Sequence, residues 1–221
     1  MFPLIAFLFP LTSLSISNLI LQYGIWVYVL TFVIILLSST VVGGTIPDNT
    51  FLILAGAVTN GTSLSMTWLF VAAVGGGFVG YEINYWSGER FGLPISRKIF
   101  PAVLHDKNVK KALDMMNRFG ISALIFSRFM PDLNLPSFLD GVNAMDYRRY
   151  VVFNLASAVV WCGILLMLGY YIGSLPIINA YLDYVTDLFI VMLVAGIIFI
   201  IVIAARNYMK RKSSGSPQLK E

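Results

Sequence analysis

The chain has 221 residues, of which 58% are hydrophobic and only 12% charged, and its mean hydropathy is +0.81. Soluble domains carry about 25% charged residues, so this composition excludes an ordinary soluble domain and points to a single integral membrane domain. The formal charge of +4 does not mark a nucleic-acid surface, because no Lys or Arg precedes Arg90 and the bases crowd into Arg90–Arg118 and Arg206–Lys220, the pattern of a membrane orientation signal.

Residues 1–18 are apolar but lack the basic start of a cleaved signal peptide, and Pro3 and Pro10 interrupt them. They read as an interfacial or irregular lead-in. A membrane domain is expected over residues 19–205, since a spanning helix needs about 20 mainly apolar residues and four stretches qualify: Leu19–Val42, Leu64–Trp86, Tyr150–Ile172 and Tyr184–Ala205. Two further apolar stretches, Thr45–Val58 and Ile121–Val142, are broken by prolines and acids. They predict re-entrant hairpins, because irregular backbone at membrane depth survives only when buried in protein or lining a wet cavity.

Between residues 88 and 120 lies a polar central loop. Val109, Leu113, Met116 and Phe119 recur there at helical spacing, with Lys107, Lys110, Lys111 and Arg118 on other faces. Two readings are equally good: an amphipathic helix on the membrane surface, or a solvated linker helix. Residues 206–221 are polar and rich in Ser and Lys, a disordered basic tail. The positive-inside rule puts the loop, Arg148, Arg149 and the tail on the cytoplasmic side, and the segments without Lys or Arg before the second and fourth spans outside. Those positions agree only if both broken segments turn back to the side they entered from. Gly75, Gly76, Gly77 and Gly80 in the second span predict close helix packing, and the Asn60-Gly61-Thr62 sequon reads as a chance occurrence.

Both broken segments carry Pro-Asp, Pro47-Asp48 and Pro131-Asp132, and each has a glycine about one hairpin later, Gly56 and Gly141. Each leads to a long apolar helix ending in aromatics and glycine, YWSGERFG from Tyr85 and GYYIG from Gly169. This is a weak internal repeat, and with the charge pattern it predicts opposite orientations, as in transporters with broken helices. The expected fold is an all-α polytopic membrane protein of about four transmembrane helices plus two re-entrant helical hairpins in an inverted repeat.

As a set, these residues resemble the DedA family, also called SNARE-associated Golgi or VTT-domain proteins. YEINYWSGERFG resembles its G-D-x-x-x-Y-W-x-G-R-x-x-G region. SRFMP resembles its G-R-F-x-P element, and DGVNAMDYRRYVVFN its A-G-x-x-x-M-x-x-x-x-F-x-x-x-N element. The match runs over about Pro47–Gly173. The resemblance implies two opposed re-entrant hairpins and movement of lipids across the bilayer. Bacterial members are associated with recycling of polyprenyl-phosphate carriers and proton-dependent membrane homeostasis, and eukaryotic relatives with phospholipid scrambling. Arg128 matches the family's first arginine of the second hairpin. Asn134 stands where a second arginine is usual, Tyr81 where an aspartate is usual with Glu82 beside it, and Asp140 where a small residue is usual. No acid precedes Asp48, and Leu37 and Ser38 occupy that neighbourhood.

The charged residues carry the functional expectation. Arg128, with Asn134, is the candidate phosphate site, since a guanidinium fork matches phosphate oxygens. The competing reading is an ion pair of Arg128 with Asp132 or Asp140 that pins the hairpin. Asp48 and Asp132 are either N-caps of short half-helices or proton carriers, and Glu82 is either a coupling acid or a carboxylate snorkelling to the interface. Pro47, Gly56, Pro131, Pro136 and Gly141 shape the hairpins.

A lipid or lipid-carrier translocase leads, acting on phosphate-bearing lipids or polyprenyl-phosphate carriers. A proton- or ion-coupled transporter of a small solute, using Asp48 and Asp132, is the alternative, followed by a membrane assembly protein without transport. An enzyme such as a lipid phosphatase is disfavoured, because His105 is the single histidine and Cys162 the single cysteine. No cofactor, metal or nucleic acid is expected. Membrane lipids are the expected partners, protons a further candidate, and self-association is left open. The expected place is an integral, multi-pass position in a membrane, the inner membrane in a prokaryote.

Overall fold

In a computed structural model of the chain, residues 13–41, 47–60, 62–99, 106–130, 135–176, 184–192, 194–196 and 198 are described, and among them all regular structure is helical. The elements are α1 (Ser13–Ser39), α2 (Asp48–Val58), α3 (Met66–Ile99), α4 (Asp106–Phe119), α5 (Ala123–Phe129), α6 (Leu135–Val142) and α7 (Tyr147–Ser174). Residues 184–192 are also helical. Element boundaries follow local chemistry. Gly92, at φ 60° and ψ 179°, breaks α3 near its end, as only glycine does without strain. Pro136 sits in the first turn of α6, where a missing N–H costs nothing. At the start of α7 the Asp146 carboxylate accepts from the backbone N–H groups of Arg148 and Arg149 at 2.8 and 3.3 Å, a side-chain N-cap of the kind worth about 1 kcal/mol.

Two stretches, Met66–Leu93 and Tyr147–Gly173, are long and apolar enough to cross a membrane. Their outward faces are themselves apolar. Trp68, Val71 and Trp86 on α3, and Val152, Ile164 and Met167 on α7, are all more than half exposed. A continuous exposed apolar face of this kind is the mark of a lipid contact rather than a water contact. By contrast α2 and α6 have 11 and 8 residues, well short of the roughly 20 a crossing needs. The expected span 19–42 overlaps α1, which ends at Ser39, while the fourth, from Tyr184, lies in part outside the described residues and the tail wholly so.

Glycines set the packing. Gly76 and Gly80 of α3 lie against the Phe32 and Leu36 carbonyls of α1, so that a Cβ on either would collide with backbone. The short helix α2 lies along α7: Gly56 meets the Leu166 carbonyl, and Gly169 meets the Ile53 carbonyl. The short helix α6 lies along α3 in the same way, with Gly141 on the Tyr85 carbonyl and Gly88 on the Phe138 carbonyl. In all four contacts the carbonyl belongs to the residue three before the partner glycine. The two helix pairs therefore repeat one packing geometry, residue for residue, and Gly56 and Gly141 serve as packing positions within it.

The main core, with Ile34, Ile35, Phe51, Leu52, Leu69, Trp161 and Leu166, lies between α1, α2, α3 and α7, and Phe189 of the following helix stacks on Phe51 at 5.2 Å. The amphipathic helix differs from expectation. Val109, Ala112 and Met115 of α4 are buried, while Leu113 and Phe119 are exposed. Val109 and Met116 of the expected stripe do pack against Leu135, Phe138 and Leu139 of α6, with Ala112 beside them in place of Leu113.

Candidate functional site

Arg128, near the end of α5, is 4% exposed. Arginine at the centre of a bilayer costs about 2.5–3.5 kcal/mol on insertion scales, so its surroundings must compensate. Nε donates to Ser157 Oγ at 2.8 Å, and Nη2 donates to the Gly77 carbonyl at 3.1 Å and to Asn154 Oδ1 at 2.7 Å. Hydrogen bonds from a charged group contribute about 1.5–3 kcal/mol each. The Tyr81 ring lies under the guanidinium, 3.7 Å from Cζ to the ring centroid, and Trp161 lies at 5.6 Å. A desolvated cation–π contact adds about 2 kcal/mol. Together these offset the burial of the cation with no carboxylate in direct contact among the described residues.

One nitrogen is left over. Nη1 is fully enclosed and has no hydrogen-bond partner among the described residues. A Cβ on Gly77 would come within 3.0 Å of it. Gly77 is thus not one more packing glycine: it makes room for the guanidinium.

Each surrounding group is fixed by its own partners. Asn154 Nδ2 donates to the Phe78 carbonyl at 3.1 Å and to Glu82 Oε1 at 2.8 Å, and the Tyr147 hydroxyl donates to Glu82 Oε2 at 3.0 Å. Ser157 Oγ donates to the Asn154 carbonyl at 2.7 Å. The Tyr81 hydroxyl and Ser127 Oγ are 3.0 Å apart, and the Tyr150 hydroxyl donates to the Tyr81 carbonyl at 2.7 Å. Trp161 Nε1 donates to Asn49 Oδ1 at 2.8 Å, tying α2 to the same centre.

Asp48 is the first residue of α2. The N-cap position is taken by Pro47, with no side-chain cap bond, so the capping expectation is displaced by one residue: the Asp48 carboxylate accepts from the Asn49 N–H at 2.8 Å. The Ser38 side chain sits against the carboxylate, and Arg128 is close enough to act on it electrostatically. The sequence pairing of Arg128 with Asp140 is not formed. Asp140 lies on α6 beside Gly141, which meets Tyr85, whereas Arg128 meets Gly77. Eight residues of helix separate those two points, or about 12 Å. Asp140 is 5% exposed, and Tyr85 and Tyr150 lie within its field. Pro131, Asp132 and Asn134 lie outside the described residues.

A second buried polar knot stands beside α6. Asn84 Nδ2 donates to the Ser39 carbonyl at 2.9 Å and Ser137 Oγ at 3.0 Å, and Asn84 Oδ1 accepts from the Val41 N–H at 2.8 Å. Asn84, Asn154, Ser157 and Gly77 were not singled out from sequence as site residues. The available signal was polarity inside an apolar run: Asn154, Ser157 and Trp161 recur at helical spacing on one face of α7.

The exposed apolar faces and the buried, hydrogen-bonded arginine define a helical membrane protein with a cation site in its interior. The VTT domain model matches residues 46–171. The chain belongs to this family, the DedA family of membrane proteins. It is 28% identical to Protein DedA of Escherichia coli (strain K12) over 86% of this chain and 89% of that protein. It is 30% identical to Undecaprenyl phosphate transporter A of Staphylococcus aureus over 70% of this chain and 76% of that protein. Inner membrane protein YqjA of Escherichia coli (strain K12) is 26% identical over 80% of each chain. No solved structure matches.

Proposed function

We propose that the protein moves phosphate-bearing lipids, of the polyprenyl-phosphate kind, across the membrane, with Arg128 as the head-group ligand. The observation that carries this is a buried arginine whose Nη1 has no hydrogen-bond partner among the described residues and whose other donors are taken by neutral acceptors. An unpaired buried donor costs about 1–3 kcal/mol, and a phosphate oxygen is the acceptor that removes that cost while matching the charge. A relative named for undecaprenyl phosphate transport supports the same substrate class. On this reading α2 and α6 are the inner arms of two re-entrant hairpins set among about four spans. The head group reaches Nη1 when the neighbouring arms part, and the acyl or prenyl chain stays in lipid. Asp48, the acid within reach of the arginine's field, is the candidate site for a coupled proton.

The test uses purified protein in vesicles carrying a fluorescent phosphate-bearing lipid. Arg128→Lys keeps the charge and loses the planar fork. It is expected to fold normally and to translocate at least about tenfold more slowly. Arg128→Ala strands the Ser157, Gly77 and Asn154 acceptors, and is expected to lose about 1–3 kcal/mol of stability as well. Near-normal translocation by the Lys variant would leave Arg128 as a pin between helices and remove it from the substrate site.

A further inference from the structure

We propose that Glu82 acts through the Asn154 side-chain amide as the remote counter-charge of Arg128, and that this one-amide separation is what keeps Nη1 available to a phosphate oxygen. The inference rests on the phosphate reading above and adds to it two residues that touch neither the lipid nor each other's backbone neighbours in sequence. Three elements contribute: Arg128 from α5, Asn154 from α7 and Glu82 from α3.

The orientation of the amide is forced. Oδ1 accepts from Arg128 Nη2 at 2.7 Å, while Nδ2 donates to Glu82 Oε1 at 2.8 Å and to the Phe78 carbonyl at 3.1 Å. Flipping the amide would set NH2 against a guanidinium, and oxygen against a carboxylate and a carbonyl. Glu82 therefore holds Asn154 with its acceptor toward the arginine. The other carboxylate oxygen is held by the Tyr147 hydroxyl at 3.0 Å. That gives Glu82 an inward partner and an outward one, which a side chain snorkelling freely to the interface would not have. Asn154 is wholly buried, while Glu82, at the outer end of the bridge, is half-buried.

Placement decides the chemistry. A carboxylate in direct contact with a guanidinium takes up its fork with two parallel bonds and cancels its charge, as Arg–carboxylate pairs generally do. One amide further away, the same carboxylate still lowers the cost of the buried cation, because Coulomb attraction falls only as 1/r. It leaves the fork partly open. Among the described acids Asp140 meets α3 further along, and Asp48, although within the arginine's field, forms no ion pair with it; Glu82 is the described acid tied to Arg128 through a hydrogen-bonded bridge.

The test exchanges charge between the two positions. In the full-length protein, Glu82→Gln combined with Asn154→Asp keeps a carboxylate and a carboxamide facing each other, but sets the carboxylate on Arg128. Dodecyl phosphate is the probe, with affinity measured by calorimetry and folding by thermal unfolding in detergent. The exchange is expected to weaken dodecyl phosphate binding about tenfold or more and to lower thermal stability to a small extent, because Asn154→Asp leaves the Phe78 carbonyl without its donor. Glu82→Gln alone keeps the bridge and removes the counter-charge, so it should lower thermal stability and tighten binding roughly threefold. These opposite signs are not produced by a purely structural role. Parent-like affinity in the exchange variant, where Arg128→Gln abolishes binding, overturns this inference alone. Equal binding by the parent and Arg128→Gln takes down the phosphate reading and the inference with it. Should the exchange variant not fold, Glu82→Gln decides: tighter binding supports the inference and unchanged binding overturns it.

Discussion

The α2–α7 and α3–α6 interfaces have one backbone and two chemistries. In both, a short helix lies on a long one through a glycine on each side, and each glycine meets the carbonyl three residues before its opposite number. The polar groups differ. Against α7, the start of α2 brings Asn49 to the Trp161 indole, next to Arg128. Against α3, α6 brings Ser137 to Asn84, and Asp140 toward Tyr85. Close contact through glycine is a demand of the scaffold, so it recurs. A buried cation is not demanded by the scaffold, and among the described residues it appears in one half only. The duplicated architecture thus carries a single, asymmetric site.

The largest effect tests the shared backbone. Gly56→Ala and Gly141→Ala each place a methyl against a main-chain carbonyl, an overpacking that cannot be relieved by turning a side chain and costs about 1–3 kcal/mol or more. The two losses in thermal stability should be similar. A large loss at Gly141 with none at Gly56 would end the equivalence of the two interfaces.

Asn84→Ala comes next and separates the two chemistries. It deprives the Val41 N–H, the Ser39 carbonyl and Ser137 of a partner, at about 1–3 kcal/mol of stability. Because Asn84 stands apart from the arginine cluster, dodecyl phosphate affinity should be unchanged. A tenfold change in affinity, on the order of 1.4 kcal/mol, would mean that the two polar knots act as one.

How far the sequence goes follows the same division. The two apolar long helices, the pair of Pro-Asp breaks and the spaced glycines are periodic signals, and periodicity is local. The partners of Arg128 are not local: Asn154 and Ser157 lie 26 and 29 residues away, and Gly77 lies 51 away. Charge bookkeeping along the chain offered the nearby Asp132 and Asp140 as partners, beside the phosphate reading, because opposite charges attract. In the folded chain Asp140 faces another part of α3, and neutral acceptors with an aromatic face fill the first contacts of Arg128. Glu82, weighed in the sequence as either a coupling acid or a snorkelling carboxylate, is hydrogen-bonded to Asn154 and Tyr147. The usual family aspartate is Tyr81 here, and its ring packs on the guanidinium. An aromatic at that position read only as a departure until its distance to the cation was known.

Tyr81 gives the smallest and most selective test. Its side chain is fully buried and touches the site in two ways, through the ring over Arg128 and through the hydroxyl beside Ser127. Tyr81→Phe keeps the ring and removes the hydroxyl, so it should cost about 0.5–1.5 kcal/mol of stability and leave dodecyl phosphate affinity as it was. Tyr81→Leu keeps an apolar side chain and removes the π face, which should loosen the guanidinium and weaken binding severalfold, in line with about 2 kcal/mol for a desolvated cation–π contact. Calorimetry on the two variants side by side assigns the role. Lost affinity in the Phe variant would make the hydroxyl, not the ring, the group that the phosphate site depends on. Equal affinity in the Leu variant would leave Arg128 held by its three acceptors alone, and the aromatic face would then be packing, like the apolar residues around the glycines of the other interface.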